Sequence, residues 1–203
     1  MKSFAGKCLY VDRSSSIGSW ALADSGKIVD NGDFSDSSPR SPAWFTELLS
    51  ALRRNGVHPR DISRYVVGLG PGSFSGIRAA LAAVQGLALP CGAEVVGMSS
   101  AAALAAGNGG EVVAIRGDAR RGTHWLGLFR NNGGRTTLSD GREVTHTLAD
   151  FSIATPAEID AMIPEGASVV SPDDKPVATA LAALDCADGI VNPQPIYLHP
   201  AVQ

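Results

Sequence analysis

The sequence has few of the residues that build disulfide frameworks or metal sites. Its three cysteines, Cys8, Cys91 and Cys186, are scattered over 203 residues and form no C-x-x-C pair. An odd number of scattered cysteines argues against a disulfide framework or a zinc knuckle, and it suits a reducing cytosol. The four histidines include no pair at the spacing of helical metal ligands. We therefore expect neither a bound metal nor another cofactor.

Basic residues are not in excess, and no long apolar run opens the chain. Lysine and arginine total 17 against 20 aspartates and glutamates, which gives a net charge of −3 and a pI of about 5.8. A protein that binds nucleic acid alone usually carries a basic stripe, so we expect another subunit to hold most of any RNA backbone. We read no signal peptide and no membrane span, and we expect the chain in the cytoplasm.

The composition is that of a folded α/β protein. Hydrophobic residues make up 44% and charged residues 18% of the chain, which is too apolar for a disordered sequence and sufficient for a sizeable core. The first half predicts the order β-β-β-α-β-α-β-α, which indicates a mixed sheet covered by helices. The predicted strands cover residues 8–11, 20–23, 27–29, 65–67 and 94–97, and the predicted helices cover 42–55, 77–89 and 99–107.

The second half repeats this order in a shorter form. In each half an apolar strand leads to an aspartate, Asp12 or Asp118, and then to a glycine and a strand that carries a tryptophan. A capping box, a further strand and a further helix follow. We therefore predict two related lobes, residues 1–107 and 108–203, with the boundary in the glycine-rich stretch 107–110.

A glycine-rich loop, residues 68–76, lies between a predicted strand and a predicted helix, where phosphate-binding loops also lie. Its sequence departs from the known patterns, because a P-loop needs a lysine after its last glycine and the Rossmann fingerprint needs closer glycines. At its centre is Phe74, not the serine of a nucleophile elbow. The loop is therefore either a phosphate-binding loop or a tight turn that brings two backbones close together. Its motif residues are Gly70, Gly72, Ser73, Phe74, Ser75 and Gly76.

Two further features allow more than one interpretation. Asp12 ends the first predicted strand and is followed by hydroxyl residues such as Ser14, an arrangement that either holds Mg²⁺ and phosphate or forms an Asx-turn. The helix 77–89 carries only two strongly polar side chains, Arg78 and Gln85. A helix that is apolar all round is buried on several sides, so either this domain or a partner covers its outer face.

Several motifs, taken in order along the chain, resemble those of one family. The segment 70–78, G-P-G-S-F-S-G-I-R, looks like the G-x-G-S-F-T-G-[IVL]-R signature of the TsaB (YeaZ) family. The turn at Asp12 resembles the D-T-S opening of that family, with Arg13 in place of threonine. Further family motifs are similar to residues 85–88, 96–100, 117–122 and 195–198. The resemblance runs nearly end to end and keeps the order of the motifs, which makes it specific.

The resemblance implies a fold, a process and a set of partners. The implied fold is the actin/Hsp70/sugar-kinase type, which is RNase H-like, with two lobes that each begin in a β-meander and a second lobe that is reduced here. TsaB proteins act in making threonylcarbamoyladenosine beside the tRNA anticodon. They are non-catalytic partners of TsaD, which holds the metal and transfers the threonylcarbamoyl group, while TsaE supplies an ATPase. The resemblance thus implies a scaffold subunit that is a homodimer when isolated and meets tRNA mainly through the complex.

The resemblance also implies where the partner binds. The expected partner-binding residues lie on the first two helices and are Trp44, Phe45, Leu48, Leu52, Arg78, Ala82, Gln85 and Leu89. Asp12 and Ser14 are expected to be vestiges of a phosphate loop. The first helix departs from the family, because the segment 41–45 stands where many members carry a histidine followed by serine or threonine. The partner contact is therefore open to remodelling at that helix.

Two rival functions stay open at the level of sequence. One is a phosphotransferase or ATPase of the same fold that uses Asp12 and the loop 70–76, against which the short second lobe counts. The other is a peptidase, which needs a metal pair or a nucleophile–base pair, and neither is visible in the sequence.

Overall fold

Two mixed β-sheets form the framework of the protein, one in each half of the chain. The computed structural model describes residues 5–34, 42–132, 135–138, 151–184, 190–191, 193–196 and 198. Within these residues the first sheet contains β1 (Lys7–Asp12), β2 (Ser19–Asp24), β3 (Lys27–Asp33), β4 (Ile62–Gly68), β5 (Glu94–Met98) and β11 (Ile190–Val191). The strand order is β11-β5-β4-β1-β2-β3. β1, β2 and β3 form an antiparallel meander, while β4 and β5 run parallel to β1.

The second sheet repeats the meander. It contains β6 (Val112–Arg120), β7 (Thr123–Asn132), β8 (Arg135–Leu138), β9 (Ser152–Ala154) and β10 (Ser168–Val170). β6, β7 and β8 are antiparallel neighbours, and β10 runs parallel to β6 as β4 runs parallel to β1. The faint sequence repeat thus corresponds to two sheets of related topology. The two sheets do not divide the chain cleanly at the predicted lobe boundary near residue 107, because β11 lies in the first sheet, antiparallel to β5.

Five α-helices among the described residues cover the sheets. They are α1 (Ala43–Arg54), α2 (Phe74–Ala88), α3 (Ser100–Ala106), α4 (Pro156–Met162) and α5 (Ala178–Leu184). Serine side chains cap two of them, since Ser73 accepts a hydrogen bond from the Gly76 N–H and Ser99 accepts one from the Ala102 N–H. The predicted capping box is present at α4. α2 begins at Phe74, three residues before its predicted start, because the Ser73 hydroxyl provides the cap at that position.

The core between the first sheet, α1 and α2 contains three residues that were predicted to bind a partner. Trp44, Leu48 and Leu52 are 4%, 0% and 1% exposed and pack in the cluster that includes Leu9 and Val67 of the sheet. Their i, i+4 spacing therefore marks the face that α1 turns toward its own domain. The prediction that these three side chains contact a partner is wrong, because the chain itself already covers them.

Phe45, the remaining predicted partner residue on α1, is partly buried beside this core. Its ring lies edge-on to Trp44, with 5.7 Å between the ring centroids. The guanidinium of Arg13 also contacts Trp44 and lies 4.7 Å from the centroid of the indole. Arg13 is 2% exposed, so this cation–π contact is desolvated and is stronger than the same contact at a surface. Arg13 and the segment 41–45 are both departures from the TsaB pattern, and they contact each other through Trp44.

α5 connects the second half of the chain to the first sheet. The hydroxyl of Ser19, in β2, accepts hydrogen bonds from the backbone N–H groups of Val177 and Ala178, both at 3.1 Å. The first N–H groups of a helix have no acceptor within the helix. Here the hydroxyl of Ser19, a buried residue of the first sheet, is their acceptor. The β1–β2 hairpin therefore fixes the start of α5.

Replacing Ser19 by alanine is expected to lower the free energy of unfolding by about 1–2 kcal/mol, because two N–H groups lose a buried acceptor. Ser50→Ala is the matched control, since that exposed hydroxyl donates only to the Thr46 carbonyl of its own helix, and its effect is expected to stay within about 0.5 kcal/mol. Urea denaturation of the two variants measures the difference. Equal stabilities would show that Ser19 is not a cap.

Candidate functional site

Asp12, the last residue of β1, joins three loops. Its carboxylate is 0% exposed and accepts hydrogen bonds from the N–H and the hydroxyl of Ser14, both at 2.8 Å, and from the Ser100 hydroxyl at 2.5 Å. Ser100 also accepts a hydrogen bond, at 3.0 Å, from the N–H of Gly70 in the glycine-rich loop. Burial raises the pKa of the Asp12 carboxyl, although the hydrogen bonds from Ser100 and Ser14 act in the opposite direction.

These contacts decide between the two interpretations of Asp12. The hydrogen bond from the Ser14 N–H to the carboxylate of Asp12, two residues earlier in the chain, forms an Asx-turn. Both carboxylate oxygens face donors inside the protein, and neither has access to solvent. Asp12 and Ser14 therefore hold loops together, and in this conformation the Asp12 carboxylate cannot reach a ligand.

The glycine-rich loop lies against the turn that follows Asp12. A Cβ atom added at Gly72 would lie 1.9 Å from the Ser14 carbonyl oxygen, and one added at Gly76 would lie 2.1 Å from the Arg13 carbonyl oxygen. Real Cβ atoms do not approach backbone oxygens so closely, so these positions accept only glycine without a shift of the backbone. The geometry matches the tight turn that brings two backbones together, one of the two interpretations that the sequence allowed.

Backbone donors at the start of α2 are already used within the protein. The N–H of Ser73 donates to the Ser14 carbonyl at 2.6 Å, and the Gly76 N–H donates to the Ser73 hydroxyl at 3.2 Å. The N–H of Ile77 donates to the Ser73 carbonyl at 2.9 Å. Phosphate-binding loops leave such groups free to point at the anion, so this loop is poorly arranged for a phosphate.

A cavity of about 940 Å³, the interlobe cleft, lies between the two sheets. One wall consists of residues 14–16, 71–75 and 77, the other of 117–120, 125 and 172–173, and residues 195, 196 and 198 complete the lining. Serine hydroxyls dominate the first wall. The charged residues among those lining it are Asp118, Arg120 and Asp173, and Arg120 already pairs with Asp118 at 3.4 Å. The cleft has the size of a ligand site but no cation that is dedicated to a phosphate.

One hydrogen bond spans the two walls of the cleft. The N–H of Ser16, in the β1–β2 turn, donates to a carboxylate oxygen of Asp173 at 2.8 Å. Together with the Ser19 cap on α5, this bond ties the first hairpin to the second half of the chain at two points. The walls of the cleft are therefore linked through the protein's own groups.

The outer face of α2 carries exposed apolar side chains next to the glycine-rich loop. Phe74 and Leu89, at the two ends of the helix, are 48% and 83% exposed, and the Arg78 guanidinium lies 5.0 Å from the centroid of the Phe74 ring. Ala82 and Gln85 are also exposed. The other four predicted partner-binding residues, Arg78, Ala82 and Gln85 on α2 and Leu89 directly after it, therefore lie on one accessible face. Partner binding by them stays a prediction.

The apolar character of α2 also matters for the expected absence of a membrane span. By length and composition alone, the window Phe74–Cys91 is apolar enough to cross a membrane, with a mean hydropathy of 1.3, and 33% of it is buried inside the protein. The inner face of this window carries Ile77, Leu81 and Val84, which belong to the core. A core helix of a soluble protein meets the same criterion, so the match is weak support for a span.

Among the described residues, no group of three or more histidine, cysteine, aspartate or glutamate side chains is placed to hold a metal ion.

The family model described as TsaD, tRNA N6-adenosine threonylcarbamoyltransferase, matches residues 45–174, well over half of the 203 residues. The chain belongs to this family.

Matches to individual proteins agree with the family. The tRNA threonylcarbamoyladenosine biosynthesis protein TsaB of Escherichia coli is 35% identical over 88 residues, which span 41% of this chain and 38% of that protein. Two solved structures from Pseudomonas aeruginosa share the fold: a protein with similarity to peptidase YEAZ (TM-score 0.76, 20% identity, 96% of this chain and 100% of that chain) and YeaZ (TM-score 0.70, 22% identity, 95% and 100%). The predicted resemblance to the TsaB (YeaZ) family is confirmed, and the predicted α/β fold with two lobes that each contain a β-meander agrees with the two YeaZ-like structures.

Three residues of the site were missed by sequence reasoning on this TsaB-like chain. Ser100 had a weak signal, because the tandem serines at 99–100 offer one helix cap and one spare hydroxyl. Asp173 had none, since it meets the first lobe more than 100 residues away along the chain. Ile196 lies in the family-like segment 195–198, but nothing in the sequence indicated its contact with Leu69, which is also more than 100 residues away. Contacts of that separation leave no periodic trace in a sequence.

The raised pKa of Asp12 predicts a pH dependence of stability. Between the ordinary pKa of 3.8 and the raised value, the folded state binds more protons than the unfolded state, so the contribution of Asp12 to stability falls as pH rises. Asp12→Asn removes the titration and keeps the shape. We expect the free energy of unfolding of the wild type, relative to this variant, to decrease as pH rises through that window. Denaturation of both proteins at a series of pH values measures it, and a constant difference contradicts it.

The isolated protein is expected to bind ATP weakly or not at all, because the loop donors named above are occupied and Asp12 is buried. Low-micromolar affinity requires about 8 kcal/mol of binding free energy, which this cleft is not arranged to supply. Calorimetry with ATP and Mg²⁺ tests this, with a sugar kinase as the positive control. A dissociation constant in the low micromolar range would favour the phosphotransferase or ATPase alternative.

Proposed function

We propose that the protein is a non-catalytic subunit in the biosynthesis of threonylcarbamoyladenosine in tRNA, and that it binds a TsaD-type transferase subunit. The family match and the TsaB relative support the process. The observation that carries the role is the combination of an apolar, accessible α2 face with a glycine-rich loop whose donors are used internally. A TsaE-type ATPase and tRNA are expected to meet this protein within the larger complex, in the cytoplasm.

The α2 face has the composition of a helix–helix contact. Phe74, Arg78, Ala82, Gln85 and Leu89 recur at intervals of three and four residues, so they form one stripe along the helix. From Phe74 to Leu89 the stripe is about 22 Å long. Ala82 at its centre is small, which lets a second helix approach closely there. Its ends carry large apolar groups, and burying the exposed Leu89 side chain would contribute about 2 kcal/mol.

The non-catalytic role is supported by what the family's chemical positions do here. The Asp12 carboxylate bonds to Ser14 and Ser100, and the glycine-rich loop bonds to the backbone of the 13–14 turn. The whole sequence contains no H-x-x-x-H pair, the pattern that the resemblance associates with the metal-holding transferase. The positions that a phosphotransferase would use are thus engaged in holding the first lobe together.

The same face also fits a second copy of the chain. If two α2 helices pack antiparallel with the midpoint between residues 81 and 82, Phe74 of one copy lies opposite Leu89 of the other, and Arg78 lies opposite Gln85. The sums of these residue numbers are equal, so the stripe is complementary to itself under a two-fold axis. We therefore expect a homodimer of the isolated protein through the surface that it offers to its partner.

Ala82→Glu is expected to weaken both the partner complex and the homodimer by at least about a hundredfold, because a charge left unpaired in an interface costs several kcal/mol. Ala161→Glu, on the exposed face of α4, is the matched control and should change neither. Ala83 is unsuitable for this purpose, since its side chain packs against the core and a charge there would test folding. Calorimetry with a TsaD-type subunit and sedimentation of the isolated protein provide the two measurements.

Reconstitution with the transferase, the ATPase and tRNA then tests the function itself. Modified adenosine should be lost with Ala82→Glu and retained with Ala161→Glu, while circular dichroism shows that both variants are folded. If a folded Ala82→Glu protein no longer dimerises but still supports full modification, the α2 face serves self-association and not binding of the transferase. Turnover of ATP or of a peptide by the purified protein alone would replace the scaffold assignment with an enzymatic one.

A further inference from the structure

The turn between β6 and β7, residues 118–123, is here named the hairpin tip. Three consecutive residues in it, Arg120, Arg121 and Gly122, have positive φ angles of 72°, 54° and 77°. Arg121 and Gly122 lie between the paired residues Arg120 and Thr123, which makes them the central residues of a two-residue hairpin loop. Such loops favour asparagine, aspartate or glycine where φ is positive, but two of the three residues here are arginine.

Neighbouring side chains hold the backbone of the hairpin tip. Asp118 accepts a hydrogen bond from the Arg120 N–H at 2.6 Å, and its other carboxylate oxygen lies 3.4 Å from the Arg120 guanidinium. The Thr123 hydroxyl donates to the Arg120 carbonyl at 2.8 Å. Arg121 is exposed, and its side chain makes no ion pair or hydrogen bond within the part of the chain that the structure describes. The geometry of the turn therefore does not account for an arginine at position 121.

The arginine at position 121 also strains the backbone. A residue with a Cβ atom pays a steric cost in the left-handed region, which glycine avoids. Such strained positions concentrate at functional sites. The side chain of Arg120, which is 79% exposed, starts from the adjacent Cα atom, about 3.8 Å away. Two guanidinium groups thus project from one tight turn, and the carboxylate of Asp118 compensates the charge of only one of them.

The other arginines of β6 and β7 are already paired with carboxylates. Arg116 forms an ion pair with Asp160, and Arg130 lies 3.6 Å from a carboxylate oxygen of Glu111. The chain as a whole carries a net charge of −3. The hairpin tip is therefore a local positive site on an acidic protein, and it does not belong to a long basic stripe.

We propose that the hairpin tip contacts the phosphate backbone of the tRNA substrate, with Arg121 as the phosphate-binding residue and Arg120 beside it. A guanidinium group presents parallel N–H donors that match two phosphate oxygens. One turn adds one or two phosphate contacts to those of a partner subunit, which is consistent with a chain that has no basic stripe. This inference rests on the proposed function, because that function brings tRNA to this chain.

Arg121→Asn separates a role in binding from a role in the turn. Asparagine is favoured in this kind of turn, so the Tm of the variant is expected to equal or exceed that of the wild type. The Kd of tRNA for the complex with a TsaD-type subunit is expected to rise about five- to tenfold at 0.1 M salt, because one fewer counterion is released. The slope of log K against log salt concentration should become shallower by about one.

Two further variants serve as controls. Arg121→Lys keeps the positive charge in the same turn, so it should retain the salt slope of the wild type. Arg53→Gln removes one exposed positive charge from α1 in the first lobe, and it should change neither the tRNA affinity nor the slope. A marked fall in Tm for Arg121→Asn would assign the arginine to the turn and overturn the proposal.

Calorimetry of each protein with the TsaD-type subunit, without RNA, distinguishes this inference from the function on which it rests. If the wild type does not bind that subunit, the proposed function fails and this inference fails with it. If all variants bind the subunit like the wild type, but Arg121→Asn keeps the wild-type tRNA affinity and slope, only this inference fails. Weaker binding of Arg121→Asn to the subunit itself would show that the hairpin tip contacts protein, which also overturns the proposal.

Discussion

The structure of the first lobe depends on one buried carboxylate. Asp12 has no contact with water, so donors from the protein must satisfy its oxygens, and they come from its own turn and from the start of α3. Ser100 passes the connection on to Gly70, so the glycine-rich loop is included as well. The fit is close, since a Cβ atom at Gly68 would lie 1.8 Å from an Asp12 oxygen. Three connections that follow β1, β4 and β5 are therefore held at one point, and removing any of the donors leaves a buried charge poorly compensated.

This use of Asp12 changes what the glycine-rich loop can do. A loop that binds phosphate keeps its N–H groups and a nearby carboxylate available to the ligand and its metal. Here the Ser73 N–H and the Asp12 carboxylate are both engaged with the 12–14 turn and its surroundings. The glycines and the Ser73 of the signature segment thus contact another loop of the same chain, while its Phe74 and Arg78 lie on the exposed face of α2. The loop contacts fix where α2 begins and hence where its outer face points.

The sequence predicted the parts of the fold that depend on local rules. The meanders, the capping box at α4 and most strand positions follow from alternation, turns and caps, which involve residues close together in the chain. The stripe of Trp44, Leu48 and Leu52 was identified correctly as apolar, but periodicity shows only that a helix has an apolar face and not what covers that face. The bond between Asp12 and Ser100 joins residues 88 positions apart. β11 is only two residues long, and the segment 193–196 contains two prolines, so neither has a period to detect.

The two faces of α2 explain why composition alone left its environment open. The inner face carries Ile77, Leu81 and Val84, which the first sheet covers, while Leu89 on the other side remains 83% exposed. A mean over the helix cannot separate these faces, and the same average suits a core helix, a membrane span or a helix in an interface. The structure distinguishes the two faces of α2, because the rest of the chain covers only the inner one. A core helix would have both faces covered, and the small Ala82 and Gly86 between large apolar ends give the uncovered face the relief that a second helix fits.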